Sequence, residues 1–310
     1  MASEYKEIPL NFHKIASYII CDKTRMMQEV VLAKRCYFYD TCSFRFHANL
    51  SNPQALFSYL QKEAGIIIIT RCILMELGSK DGILRQSYIT FLEKMHASGI
   101  KIFLVEEEDL ADIMSMCFTT IEIVNRYLLY AVRTVRLANG TVTDTLNADS
   151  SLKNDVLIKG ASQDSTLYDR FFQAVRKNKK AEDNLGEELL TICVHILANI
   201  PENYEHKYVI LTDDKGAVGG IKKARKNSFD QLKRMMFTAH TTPRLAQCLY
   251  EDGFVTTASE VEEFLAVCAH ENEIHFLGAE EYDLEVREKK MTCSELANKI
   301  VIPNAIYISC

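Results

Sequence analysis

Acidic residues stand where two apolar segments of the chain end. Asp40 follows residues 36–39 (CYFY), and Asp213 and Asp214 come just after residues 208–211 (YVIL). Both segments have the length and the aromatic or β-branched content of buried strands. Parallel strands end at the same edge of a sheet, where α/β proteins bind ligands, so we expect these acids to lie close together.

Further acids lie on predicted helices. Glu76 stands among apolar residues in 72–77 (CILMEL), where a carboxylate without a partner is unfavourable. Asp183, Glu187 and Glu188 occupy the first turns of another predicted helix, and the first two, four residues apart, share a face. The helix dipole is an alternative reason for acids at a helix start. With the acids at the strand ends, these residues form a candidate cluster.

The chemistry expected of such a cluster is metal binding. Converging carboxylates with no paired basic residue repel one another unless a cation neutralises them, and Mg²⁺ and Mn²⁺ prefer oxygen ligands. A bound metal ion activates water for phosphodiester hydrolysis, so no protein nucleophile is needed. The sequence has no Ser-His-Asp order, GKS/T phosphate loop or HExxH motif. We therefore predict a metal-dependent nuclease.

A basic segment follows the last acids. Only Asp230 opposes its positive charge, and such a segment can contact a phosphate backbone. The candidate nucleic-acid-binding residues are Lys215, Lys222, Lys223, Arg225 and Lys226. For each base on its own, a solvated helix face is the alternative interpretation. The glycine-rich run at 216–220 predicts a flexible turn before a helix, with an anion-binding nest as the alternative.

The elements that must position these residues alternate along the chain. Strands are predicted over residues 36–39, 66–69, 100–105 and 208–211, with further strands at 274–277 and 300–308. Helices are predicted over residues 24–34, 53–62, 71–78, 85–97, 114–137, 167–177, 184–198, 221–236 and 257–269. This alternation predicts crossover connections and a parallel sheet. Residues 138–166 are polar and lack periodicity, and we interpret them as a lid or a mobile insertion.

Composition is that of an ordinary globular protein. The 310 residues are 48% apolar and 25% charged, without a signal peptide or a long apolar run, so no membrane association is expected. Ten cysteines are scattered singly, which favours reduced thiols and a cytoplasmic location. Residues 251–310 carry 13 acids and 4 bases, a net charge of -9, so the whole-chain charge of -6 leaves +3 for residues 1–250. The acidic total therefore does not exclude a nucleic-acid partner.

The order of four motifs resembles the PIN-domain nucleases, a family that includes the toxin ribonucleases of toxin–antitoxin pairs. The motifs are FYDTCSF, ITRCILMELGS, NLGEELLTICVHILA and VILTDDKGA, and the resemblance covers about residues 34–225. It implies a PIN-like three-layer α/β/α fold with a parallel central sheet. It also implies Mg²⁺ or Mn²⁺ as cofactor and cleavage of RNA more often than DNA.

The resemblance also assigns roles to individual residues. The catalytic residues that it implies are Asp40, Glu76, Glu187 and Asp214. The metal ligands are drawn from these and from the alternates Asp183, Glu188 and Asp213. The third acid is ambiguous, because Glu187 and Glu188 both match in register. Thr212 matches the hydroxyl before the last acid, whereas Cys42 departs from the Ser or Asn that the family commonly has two residues after the first acid.

We interpret residues 1–235 as a PIN-like nuclease domain with a helical and loop insertion at about 112–180, and residues 236–310 as an acidic α+β C-terminal extension. The extension packs on the domain or binds a protein partner or inhibitor, and self-association is left open. The expected substrate is nucleic acid, above all single-stranded or structured RNA. Two alternatives remain, a non-catalytic PIN-like interaction protein and a metal-dependent phosphatase that acts on small molecules.

Overall fold

A five-stranded parallel sheet forms the centre of the molecule. The computed structural model describes residues 5–62, 65–160, 162–201, 205–281 and 283–309. The strands are β1 (Cys36–Tyr39), β2 (Ile66–Thr70), β3 (Ile102–Val105), β4 (Tyr208–Leu211) and β5 (Phe237–His240), in the order β3-β2-β1-β4-β5. All neighbouring strands are parallel, and the first four strands are buried along their whole length. The predicted α/β class and parallel central sheet are confirmed, and the helices that flank the sheet are compatible with three layers.

Helices precede each of the first three strands. Helix α1 (Lys23–Leu32) comes before β1, α2 (Thr41–His47) and α3 (Gln54–Gln61) connect β1 to β2, and α4 (Arg71–Gly78) and α5 (Gln86–Ala97) connect β2 to β3. The predicted helices agree closely with these bounds, and α2 is the one that was not predicted. Ahead of α1, the amide of Ile20 donates to the Ile102 carbonyl at 2.8 Å, and the Leu104 amide donates to the Ile20 carbonyl at 3.1 Å. This segment therefore lies along the outer edge of β3.

The long connection between β3 and β4 is almost entirely helical. It contains α6 (Leu110–Cys117), α7 (Ile121–Val135), α8 (Thr141–Ala148), α9 (Ser150–Asn154), a π-helical turn (Asp155–Lys159), α10 (Leu167–Lys177) and α11 (Leu185–Leu197). The prediction of one helix over residues 114–137 is wrong, because the chain is extended at Phe118 and Thr120 caps a new helix.

Residues 138–166, in which no helix was predicted, are mostly helical. Most of this segment belongs to α8, α9 and the π-helical turn. Val142, Leu146 and Leu152 are buried in the main core. The polar residues of the segment hid this short helical pattern, because each helix exposes its Asp, Asn and Ser side chains and buries only one or two apolar ones.

The chain leaves β4 and enters α12 (Lys215–Leu232) almost at once. Asp214 caps this helix, its Oδ1 accepting a hydrogen bond from the Ala217 amide at 2.8 Å. The prediction of a flexible turn over the glycine-rich run at 216–220 is therefore wrong, since these residues form the first turns of α12. The cap supplies the hydrogen bond that offsets part of the low helix propensity of the glycines.

A small antiparallel sheet completes the chain. After β5 come α13 (Thr242–Glu251), α14 (Ala258–Leu265), β6 (Glu273–Glu280), β7 (Arg287–Thr292), α15 (Cys293–Ile300) and β8 (Ile306–Ile308). The second sheet has the order β7-β6-β8. The mixture of helices and strands after β5 agrees with the α+β character predicted for the C-terminal extension. The predicted strand over 300–308 is confined to its last residues, because Ile300 ends α15.

The C-terminal elements pack against the parallel sheet. The side chain of Gln247 in α13 donates to the Ile306 carbonyl and accepts from the Ile308 amide, both at 3.0 Å. Phe264 and Ile308 belong to the same buried cluster as β1 and β4. Because β5 pairs with β4, the parallel sheet extends past residue 235, the domain boundary predicted from the sequence.

The cysteines behave as the scattered pattern predicts. None of those in the described part of the chain takes part in a disulfide, and several, including Cys36, Cys72 and Cys193, are buried. Within the described part of the chain, no helix is both long enough and apolar enough to cross a membrane.

Candidate acidic site

The strand order of the parallel sheet reverses between β1 and β4. From β1 the chain adds β2 and β3 on one side of the sheet, and it later adds β4 and β5 on the other. In α/β proteins, ligands bind outside the carboxyl ends of the two strands where the order reverses. Asp40 follows β1, and Thr212 to Asp214 follow β4. The Asp40 amide donates to the Leu211 carbonyl at 2.9 Å, so the two strand ends lie side by side.

Asp40 is buried and held by several donors. Its Oδ1 accepts from the Thr41 amide at 2.7 Å, and its Oδ2 accepts from Cys42 Sγ at 2.8 Å and Thr212 Oγ1 at 2.7 Å. Burial raises the pKa of Asp40 to about 6 against the effect of these hydrogen bonds, and the charge of Glu76 contributes to the rise. Cys42, although it departs from the family pattern, thus supplies a hydrogen bond to the first acid.

Helix α4 carries Glu76 next to a hydroxyl and a buried lysine. The Thr41 hydroxyl donates to Glu76 Oε2, and Lys179 Nζ lies 2.7 Å from Glu76 Oε1. Lys179 also pairs with Asp183. The expectation that no basic residue is paired with the cluster is therefore wrong, since Lys179 neutralises part of its charge.

Glu187 lies in the first turn of α11 and approaches the other acids. Its neighbour Gly186 faces Glu76 so closely that a Cβ at this position would lie 2.6 Å from Glu76 Oε1. Glu187 Oε2 is buried, and it has no hydrogen-bond partner among the described residues. Burial raises the pKa of Glu187 to about 8, with further contributions from the charges of Asp40, Glu76 and Asp214. A buried carboxylate oxygen without a partner is unfavourable unless a proton or a cation binds there.

Thr212 connects the first acid to the last. Its hydroxyl donates to Asp40 and accepts from the Asp214 amide at 3.1 Å. Asp214 is partly exposed, and one of its oxygens caps α12. The hydroxyl that the resemblance implied before the last acid therefore has a positioning role for both strand-end acids.

The three alternate acids have partners of their own. Asp213 accepts from Ser43 Oγ and Thr242 Oγ1, both at 2.6 Å, and from the Thr242 amide at 2.7 Å. Asp183 accepts from the Thr141 hydroxyl at 2.8 Å and pairs with Lys179. Glu188 accepts from the Leu137 amide, which precedes α8, and from the Val142 amide in the first turn of α8. Each of these acids fastens one helix to another, which leaves Glu187 as the least satisfied acid of α11.

The carboxylates of the site are of the ligand type that a hard divalent cation prefers. Asp40, Glu187 and Asp214 offer carboxylate oxygens, and the unpartnered Glu187 Oε2 marks where positive charge is lacking. Within the described residues, however, no three His, Cys, Asp or Glu side chains already enclose a common ion position. The acids are therefore close enough for their charges to raise one another's pKa, but they would have to move closer together to ligate one ion.

The predicted nucleic-acid-binding residues lie on α12 and separate into three groups. Lys222, Lys223 and Lys226 are exposed. Lys215 forms an ion pair with Glu288 in β7 at 2.5 Å. Arg225 is partly buried and donates through Nε to the Met235 sulfur at 2.8 Å, so it does not belong to the exposed basic face.

Two contributors to the site were not predicted, Thr41 and Lys179. Thr41 directly follows Asp40, and a hydroxyl at a helix start beside an acid was the available signal. Lys179 and Asp183 lie in the connection between α10 and α11, so Asp183 precedes the helix in whose first turn it was predicted to lie, and helix spacing does not explain this ion pair. The pairing of Lys179 with Glu76 joins residues 103 positions apart, which no local pattern indicates.

We compared the chain with protein-family models, with curated proteins and with solved structures, and no match was found in any of them.

Proposed function

We propose that this protein is a PIN-like, metal-dependent nuclease that hydrolyses phosphodiester bonds, RNA more readily than DNA. The observation that carries the proposal is Glu187 Oε2, a buried carboxylate oxygen without a partner in the described chain. The charges of Asp40, Glu76 and Asp214 contribute to the raised pKa of Glu187. These acids lie near the carboxyl ends of β1 and β4, where α/β proteins bind ligands.

The electrostatics of the site support a missing cation. The pKa of Asp40 is raised to about 6 and that of Glu187 to about 8, so each carboxylate is less stable as an anion in the protein than in water. Lys179 offsets the charge of Glu76 and Asp183 only. A divalent cation would stabilise the ionised form of the remaining acids.

The proposed roles follow from the contacts of each residue. Asp40, Glu187 and Asp214 would hold Mg²⁺ or Mn²⁺, directly or through water. When bound, the ion supplies an activated water and neutralises charge on the scissile phosphate. Thr212 and Cys42 fix the Asp40 carboxylate, and Lys179 holds the Glu76 side chain in place. The exposed lysines of α12 begin two turns after Asp214 and would contact the phosphate backbone of the substrate.

The test is cleavage of labelled single-stranded RNA and DNA by the wild type, Asp40→Asn and Asp230→Asn. Each protein is assayed with Mg²⁺, Mn²⁺ or EDTA. We expect the wild type and Asp230→Asn to cleave RNA with metal but not with EDTA, because Asp230 is an exposed residue of α12 outside the site. Asp40→Asn should fold and lose cleavage.

Full metal-dependent cleavage by a folded Asp40→Asn protein would refute the assignment. If no variant cleaves and calorimetry detects no Mn²⁺ binding to the wild type, the non-catalytic interaction protein becomes the better account. Turnover of a generic phosphomonoester with intact oligonucleotides would instead indicate the small-molecule phosphatase.

A further inference from the structure

A cleft away from the acidic site opens beside the edge strand β5. Its volume is about 430 Å³, and residues of α3, α13 and the last strand, β8, complete its walls. Cavities of this size bind small organic ligands and cofactors. Of the residues that the structure describes, those lining the cleft are all distinct from the acids and hydroxyls of the acidic site.

Positive charge predominates in this cleft. Its charged lining consists of two carboxylates and four cations, a net charge of +2: Glu251, Asp252, Arg35, Lys62, Arg225 and Arg244. Lys62 pairs with Asp252 at 2.7 Å, and Arg244 approaches Glu251 at 3.7 Å. The charge that remains belongs to Arg35 and Arg225.

Arg35 and Arg225 have neutral partners only. Arg35 donates to the backbone carbonyl of His206, and Arg225 donates to the sulfur of Met235. Neither forms an ion pair within the described ranges. A guanidinium has five N–H donors, so each side chain retains donors for a further acceptor, and guanidinium groups bind phosphate through paired charge-assisted hydrogen bonds.

Two histidines in the cleft are held neutral. Burial and the charge of Arg35 lower the pKa of His206, and burial together with Arg244 and Arg35 lowers the pKa of His240 to about 3. His240 Nδ1 is also buried and has no hydrogen-bond partner in the part of the chain described. The histidines therefore add no positive charge to the cleft, and the uncompensated charge that an anion would neutralise is that of Arg35 and Arg225.

The mouth of the cleft carries an aromatic surface. Tyr307 of β8 lines it and is half exposed, and the Arg244 guanidinium lies 5.9 Å from the centre of its ring. Tyr59 of α3 also lines the cleft. Aromatic rings of this kind provide flat, partly apolar surfaces against which a planar base packs.

We infer that this cleft binds a small phosphorylated ligand of the size and chemistry of a nucleoside monophosphate. Arg35 and Arg225 bind the phosphate, which carries close to two negative charges at neutral pH, and Tyr307 packs against the base. This inference is independent of the proposed nuclease activity, since it uses a different set of side chains and no metal ion.

The test is calorimetric titration of the full chain with AMP, inorganic phosphate and adenosine, in phosphate-free buffer containing EDTA so that metal at the acidic site cannot contribute. We expect AMP to bind, inorganic phosphate to bind more weakly and adenosine not to bind. The variants are Arg225→Gln and Arg35→Gln, with Lys34→Gln as the matched control. Lys34 is exposed, adjacent to Arg35 in sequence and outside the cleft.

Each arginine substitution should weaken AMP binding by about tenfold or more, as expected for the loss of charge-assisted hydrogen bonds. Lys34→Gln should bind as the wild type does, and so should Asp40→Asn, which separates this result from the outcome of the cleavage assay. Thermal melts identify any variant that fails to fold, and either arginine alone suffices for the test. No AMP binding by the wild type, or equal binding by folded arginine and Lys34 variants, would overturn the inference.

Discussion

The acidic site depends on how individual carboxylates are balanced by neighbouring charge. Asp40 and Asp214 were predictable, because each directly follows an apolar strand signal. Glu187 could not be separated from Glu188 by sequence, since the choice depends on which one the backbone of α8 already satisfies. Lys179 was missed because its partner Glu76 is distant along the chain, so that only the folded structure brings the two together.

Glu187 should make the protein less stable at alkaline pH. The pKa of Glu187 rises from 4.5 to about 8 on folding, and that of Asp40 rises from 3.8 to about 6, so the unfolded chain loses these protons first as the pH increases. The contribution of these two groups to the free energy of unfolding should therefore be largest below about pH 4 and should decrease as the pH approaches 8. We expect Glu187→Gln to flatten this dependence and to be more stable than the wild type at pH 8.5, by on the order of 2 kcal/mol.

Urea unfolding of both proteins at pH 5 and pH 8.5, in EDTA, measures this difference. Glu182→Gln is the control, because Glu182 is an exposed residue near the same helix start. A Glu187→Gln protein with the same pH dependence as the wild type would show that Glu187 is not an unsatisfied carboxylate.

Lys179 should be essential for folding stability. It is almost completely buried between Glu76 and Asp183, so Lys179→Met leaves two carboxylates without their cation. We expect a loss of about 3–5 kcal/mol of stability. The double variant Lys179→Met with Glu76→Gln should recover part of this loss in urea unfolding, and full additivity of the two substitutions would contradict a direct interaction.

At the scale of elements, strands that contain a continuous apolar run were predictable, whereas the more polar strands β5 and β7 were not. β1, β2 and β4 contain such runs, and the sequence located them closely. β5 (FTAH) and β7 (REKKMT) carry polar or charged residues, so their strand conformation follows from pairing with β4 and β6. The helices of the 138–166 segment were hidden for a similar reason, since packing against the core decides them more than periodicity does.

The packing of α11 against α4 should be sensitive to a single methyl group. Alanine in a helix is normally more favourable than glycine by about 1 kcal/mol. Gly186→Ala should nevertheless destabilise the protein by about 1–3 kcal/mol, because the new Cβ would lie 2.6 Å from the Glu76 carboxylate, which its contacts with Thr41 and Lys179 prevent from moving aside freely.

Gly219→Ala in α12 is the matched comparison, since nothing lies within 4 Å of a Cβ there. This variant should gain stability by roughly the helix-propensity difference of about 1 kcal/mol. Thermal and urea unfolding of the two variants give the measurement. A gain of stability in both would mean that α11 and α4 are further apart than the structure places them.

At the scale of the whole molecule, the parallel sheet and the C-terminal elements pack around a shared buried core. They share a continuous buried cluster, and β8 is fastened to α13 through Gln247. We expect a single cooperative transition in thermal unfolding, observed together by far-ultraviolet circular dichroism and tyrosine fluorescence. A chain that ends at residue 235 lacks β5 and should not fold stably. Two separate transitions of the full chain, or a stable chain ending at 235, would show independent domains.

The N-terminal segment has a consequence for solubility. Its Ile20 hydrogen-bonds to the outer edge of β3, an apolar strand that would otherwise offer unpaired amides and carbonyls to another molecule. Exposed strand edges of this kind template intermolecular pairing. We therefore expect the segment to protect this edge from intermolecular pairing, and its removal to cause association that increases with protein concentration.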